Sequence, residues 1–103
     1  MRAILWSDEA QRHYRDAILW LAERNPAAAA RLRSQINATL SGLADMPTGR
    51  RGRVAGTYEK LVPRFPYILA YALAPTPAGA EQLVVLALIH TSRGWPEDVW
   101  PSP

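Results

Sequence analysis

The stretch Gly49 to Tyr71, GRRGRVAGTYEKLVPRFPYILAY, restricts the fold more than any other part of the chain. β-Branched and aromatic residues recur there at short spacing and are cut by Gly and Pro, which predicts two or three strands joined by tight turns. The same stretch opens with an arginine-rich turn, Gly49-Arg50-Arg51-Gly52-Arg53. Between Arg50 and Pro66 stand five basic residues (Arg50, Arg51, Arg53, Lys60, Arg64) and one acidic residue, Glu59. The chain is therefore most basic where a sheet begins, and the rest must supply helices to cover that sheet and a strand to complete it.

The residues before this stretch read as helical. Arg2 to Trp6 is a short apolar run that predicts a first strand. Ser7 is a good N-cap, with Asp8 and Glu9 in the first turn, where the helix dipole favours negative charge. The helix is expected to run to about Arg24, burying Tyr14, Ala17, Ile18 and Leu21 and turning His13 to solvent. Asn25-Pro26 ends it and starts another, with Asn as N-cap and Pro at the first helical position. The second helix, Ala27 to Ala44, carries Ala29, Leu32, Ile36, Leu40 and Leu43 on one stripe. So short a link predicts an antiparallel helical hairpin, closed by Met46-Pro47-Thr48-Gly49.

Beyond it, strands are expected near Arg51–Ala55, Tyr58–Pro63, Tyr67–Ala74 and Gln82–His90. A flexible hairpin loop is expected over Ala74–Ala80. Leu83 to Ile89 is almost wholly apolar, so this strand is expected to be central, with both faces buried. The order strand, helix, helix, strands predicts an α+β domain. An N-terminal strand and a two-helix antiparallel hairpin would pack on one face of a mostly antiparallel four- to five-stranded sheet, leaving the other face for a partner. Residues 1–95 form the expected single domain. Residues 96–103 form a Pro-rich tail that cannot be a regular helix.

Composition narrows the chemistry. At 103 residues the chain can bury one core. A formal charge of +3 and a pI of about 9.8 lean toward anionic partners. With no cysteine, disulfides, thiolate catalysis and Cys-based zinc sites are excluded. The two histidines, His13 and His90, stand far apart, so neither a metal site nor a cofactor is expected. No apolar run approaches the roughly 20 residues that span a bilayer. The N-terminus meets Ser7-Asp8-Glu9 too early for a signal peptide. The expectation is a soluble cytoplasmic protein.

Several pieces, in order, resemble one family. They are Trp6-Ser7 before the first helix, Asn25-Pro26-Ala27-Ala28-Ala29 opening the second, and Leu43 through Pro47. Next come Gly49-Arg50-Arg51-Gly52-Arg53-Val54 with Gly56-Thr57, and Pro66-Tyr67-Ile68-Leu69-Ala70-Tyr71. The last is Leu88-Ile89-His90-Thr91-Ser92-Arg93-Gly94-Trp95-Pro96. Together they resemble the ParE/RelE superfamily of toxins from type II toxin–antitoxin systems, and its ParE-like branch in particular. The resemblance implies a small basic toxin of the plasmid-stabilising kind. A cognate antitoxin would neutralise it in a hetero-oligomer, folding its disordered C-terminal segment across the toxin. It also implies a choice of target: ParE-like members poison DNA gyrase, whereas RelE-like members enter the ribosomal A site and cleave mRNA.

The candidate site residues follow. Arg50, Arg51 and Arg53 are either a solvated turn or an anion-facing patch, since guanidinium forks grip carboxylates and phosphates bidentately. Antitoxin or target contacts are assigned to these three with Tyr58, Arg64, His90, Arg93 and Trp95. Metal-free RNA cleavage needs a base, a cation for the phosphorane charge and an acid. Glu59, Lys60, Arg64, His90 and Arg93 are the groups available for it. Two departures from RelE-like nucleases weigh against cleavage. Tyr67-Ile68-Leu69 has an apolar residue where an arginine is typical, and Arg93-Gly94-Trp95-Pro96 replaces a basic-plus-Tyr ending. His90 reads first as a packed, hydrogen-bonded residue. Tyr67 and Tyr71 share strand parity and are expected on one face. Trp95 and Trp100 either pack back on the sheet or anchor a partner. Three functions compete: a non-enzymatic gyrase inhibitor, a ribosome-dependent mRNA endonuclease, and a toxin-like binding module without toxicity. The antitoxin is expected to bring an acidic, amphipathic segment against Arg50, Arg51, Arg53 or Arg64.

Overall fold

A computed structural model describes residues 2–91. The expectations for Arg93, Trp95, Trp100 and the tail lie outside the described residues. The elements are β1 (Ala3–Trp6), α1 (Asp8–Arg24), α2 (Pro26–Asp45), β2 (Arg50–Arg51), β3 (Tyr58–Leu61), β4 (Tyr67–Pro75) and β5 (Glu81–His90). They form one sheet of order β1-β5-β4-β3-β2, antiparallel except for the β1–β5 pair. The expected α+β architecture, with two helices on a mostly antiparallel sheet, is what the chain adopts.

Local chemistry accounts for the helix ends. The Ser7 side chain accepts a hydrogen bond from the Ala10 amide at 3.0 Å, and the Asn25 side chain accepts one from Ala28 at 3.1 Å. Asn25 thus ends α1 and caps α2 by itself, and the chain reverses at a single residue. The hairpin lays Leu32, Ile36, Leu40 and Leu43 of α2 against Leu69, Tyr71, Leu83, Val85 and Leu88 of the sheet, all buried. Tyr14, Ala17, Ile18 and Leu21 of α1 are half-buried at the margin of that core. Tyr67 and Tyr71 lie on this same face, as their parity predicts.

β5 is interior, with β1 on one side and β4 on the other. Its parity is not constant. Tyr71 pairs with Val85 and Ala70 with Ala87, so Leu86 is the extra residue of a β-bulge. Leu83 and Val85 face the helices before the bulge and Leu88 after it, while Ala87 and Ile89 turn to the outer face with Ala70. β1 pairs with β5 only as far as Val85. Beyond that, α1 takes over as partner: Ser7 Oγ donates to Leu86 O at 3.3 Å, and His13 Nδ1 accepts from the Leu88 amide at 3.4 Å. This corrects the expectation that His13 faces solvent. A short β1 leaves β5 amides needing acceptors, and His13 is half-buried against them.

The expected strand over Arg51–Ala55 is also corrected. Only Arg50–Arg51 pairs with β3, and the residues after it turn. Backbone bonds from the Gly52 amide to Thr57 O at 2.8 Å and from the Thr57 amide to Val54 O at 3.1 Å close that turn, and side chains add to them.

Candidate functional site

The arginine-rich turn is built around one buried carboxylate. In the β2–β3 register Arg50 lies opposite Glu59. Glu59 is only 4% exposed. Its Oε1 accepts from the Arg50 guanidinium at 3.2 Å. Its Oε2 accepts from Arg53 Nε at 3.0 Å and from the Arg53 backbone amide at 3.1 Å. That last bond ties the backbone just beyond β2 to the Glu59 side chain. Burial pushes the Glu59 carboxyl upward, but the Arg53 side chain and amide, with help from Arg50, hold it below the ordinary value of 4.5.

Two glycines let the backbone approach closely enough to close this turn. Gly49 has a φ of +120° and passes so near β3 that a Cβ would stand 2.7 Å from Glu59 O. A Cβ on Gly52 would stand 2.2 Å from Thr57 Oγ1, which donates to Val54 O at 2.6 Å. Beneath the turn, Tyr71 is fully buried, stacks on Tyr58 at 5.5 Å between centroids, and donates its hydroxyl proton to Thr48 O. We expect Gly49→Ala to destabilise the fold by about 1–3 kcal/mol, from the positive φ and the backbone clash together. A shift of the urea midpoint with an unchanged slope is the check.

The predicted site residues therefore separate. Arg50 and Arg53 are tied to Glu59, whereas Arg51 is exposed and in no ion pair among the described residues. Lys60 pairs across β4 with Leu69 on the helix face, and its Nζ donates to Thr48 Oγ1 at 3.2 Å. Glu59 pairs with Ala70 on the outer face. Both residues border a shallow cleft of about 340 Å³ at the open edge of β3, with Gly49, Arg50, Leu61 and Ile68. His90 ends β5 opposite Tyr67, with the two rings edge to face at 5.1 Å. Arg64 lies in the β3–β4 turn with a φ of +70°. Among the described residues no three His, Asp or Glu side chains come together to hold a metal ion, and no helix is long and apolar enough to cross a membrane.

Two surfaces were not foreseen. A groove of about 660 Å³ runs between α2 and the β3–β4 turn, lined by Ala30, Arg31, Ser34, Gln35, Ala38, Arg64 and Phe65. Its signal in the sequence was the absence of any acidic residue in α2 before Asp45. Leu19 and Trp20 stand exposed on α1, with the Arg24 guanidinium 3.9 Å from the Trp20 ring centroid. An i, i+4 pairing of Trp with Arg was the sign of that contact.

Comparison with known proteins bears on the family and the fold. Residues 4–95 match the family profile described as ParE toxin of type II toxin-antitoxin system, parDE. The chain is 28% identical over 97 residues to the Sinorhizobium fredii protein named toxin Y4kP, covering 93% of this chain and 95% of that one. It is 39% identical over 74 residues to Toxin RelE1 of Caulobacter vibrioides, covering 68% and 77% of the two chains. A solved structure described as the chromosomal ParDE TA system from P. aeruginosa superimposes with a TM-score of 0.76. It covers 89% of this chain and 98% of that one at 14% identity, a likeness of fold.

Proposed function

Because this chain belongs to the ParE toxin family of type II toxin–antitoxin systems, we propose that it acts by binding and inhibiting DNA gyrase, without catalysis, and is silenced by a cognate antitoxin. The observation that carries the non-catalytic reading is the state of Glu59. A general base for a 2′-hydroxyl must reach its proton and be free to accept it. Glu59 is buried, with both oxygens engaged by Arg50 and Arg53, and its basicity is lowered by those contacts. Lys60 lies on the opposite sheet face from Glu59, and His90, at the C-terminal end of β5, is packed against Tyr67. Ile68, at the position where RelE-like nucleases typically carry arginine, offers no cation for a phosphorane.

mRNA cleavage on the ribosome is the second reading, favoured by the 39% identity to Toxin RelE1. Two parallel assays of the purified toxin separate them. Loss of gyrase supercoiling with mRNA left intact on programmed ribosomes is the expected result. Codon-positioned mRNA cleavage with supercoiling unaffected overturns it and makes Lys60, Arg64, His90 and Arg93 the residues to replace.

A further inference from the structure

We propose that the groove between α2 and the β3–β4 turn binds an acidic peptide segment with an apolar residue between its carboxylates, and that Arg31 and Arg64 grip those carboxylates. Such a segment is the charged part of the antitoxin, so in this respect the inference rests on the antitoxin reading above.

Charge is the first support. The walls carry Arg31 on one side and Arg64 on the other. No Asp or Glu occurs from Pro26 to Ala44, nor from Leu61 to Ala80. Neither arginine is in an ion pair among the described residues, unlike Arg50 and Arg53, whose charge Glu59 partly cancels. The groove therefore offers a carboxylate two guanidinium charges that no carboxylate of the described residues cancels.

Backbone strain is the second. Arg64 holds a φ of +70°, a conformation that Gly adopts without penalty and an L side chain does not. A guanidinium kept at such a position in a turn suggests that its side chain serves a contact outside the turn.

The shape of the floor separates peptide from nucleic acid. Ala30 and Ala38 are small and exposed, so an aliphatic side chain can settle between them. Phe65 is half-buried against the main core, and its ring is not an open platform on which a base could stack.

The test is titration of the toxin with its antitoxin at low and at moderate salt, for the wild type and for Arg31→Glu, Arg64→Gly and Arg33→Glu. Arg33 is exposed on the same helix but does not line the groove, so it controls for net charge. Arg31→Glu and Arg64→Gly are each expected to weaken binding about tenfold or more, an effect that shrinks with salt. Arg33→Glu is expected to change it little. Arg64→Gly carries a second signature: it relieves the turn, so thermal stability rises while affinity falls. Unchanged affinity in both groove variants, or an equal loss in Arg33→Glu, overturns the proposal while leaving the antitoxin reading intact. Failure of the wild type to bind any antitoxin would instead strike that reading. A single-stranded 12-mer that perturbs the Arg31 and Arg64 Nε–H resonances, where a Glu/Leu peptide of equal length does not, also overturns it and assigns the groove to nucleic acid.

Discussion

Glu59→Gln is expected to lower the stability of the fold by about 1–3 kcal/mol, because a buried amide keeps only part of the hydrogen bonding that the carboxylate takes from Arg53 and Arg50. For a domain of this size that corresponds to a fall in Tm of about 5–15 °C. The two arginines are not equal partners. The Arg50 side chain is 71% exposed, so its bond is screened and Arg50→Ala is expected to cost under about 1 kcal/mol. The Arg53 side chain is 24% exposed and bonds Glu59 through side chain and backbone, so Arg53→Ala is expected to cost more. A double-mutant cycle over Glu59 and Arg53 measures the coupling.

The same carboxylate predicts an acid limb. Its pKa is lower folded than unfolded, so between the two values the unfolded chain binds more protons and stability rises with pH. The contribution is fully present above the ordinary value of 4.5 and is lost as pH falls through the folded value. Urea midpoints recorded from neutral to acid pH are expected to drop in the wild type and to stay flatter in Glu59→Gln. Parallel curves for the two proteins would show that Glu59 is not the group responsible.

Tyr71→Ala is the second large effect, expected at about 3–5 kcal/mol, since it empties a fully buried ring site beneath the arginine turn. Tyr71→Phe isolates the hydroxyl. It keeps the ring against Tyr58 and removes only the bond to Thr48 O, whose residue is exposed and can find water. Its expected cost is about 1 kcal/mol. Burial pushes the Tyr71 phenol up, with a further push from Tyr58 and a small opposing pull from Arg2. A raised folded value reverses the sign seen for Glu59: stability is full below the unfolded pKa, near 10, and is lost as pH rises through the folded one. An alkaline unfolding limb that softens in Tyr71→Phe is the expected observation. An equal loss in Phe and Ala variants would place the whole effect on the hydroxyl.

The elements whose signals are local were legible from the residues alone. Ser7 and Asn25-Pro26 set the helix ends because capping acts within one turn. The stripe Leu32, Ile36, Leu40, Leu43 declared its buried face through periodicity, and all four are buried. The basic bias of Gly49 to Arg64 was visible as well, and with it the family resemblance.

What the sequence could not disclose was which charges cancel. Glu59 lies six residues beyond Arg53 and nine beyond Arg50, and only the β2–β3 register turns all three to one place. Likewise His13 and Leu88 are 75 residues apart and meet because β1 stops short. Arg31 and Arg64 come from a helix and a turn that share a groove only once α2 is laid on the sheet. The sequence by itself determined the helices, their buried faces, the α+β class and the sign of the surface charge, all set within a few residues. The tertiary structure alone decided which arginines are spent on Glu59 and which remain for a partner, because ion pairing depends on distances that strand register and packing create.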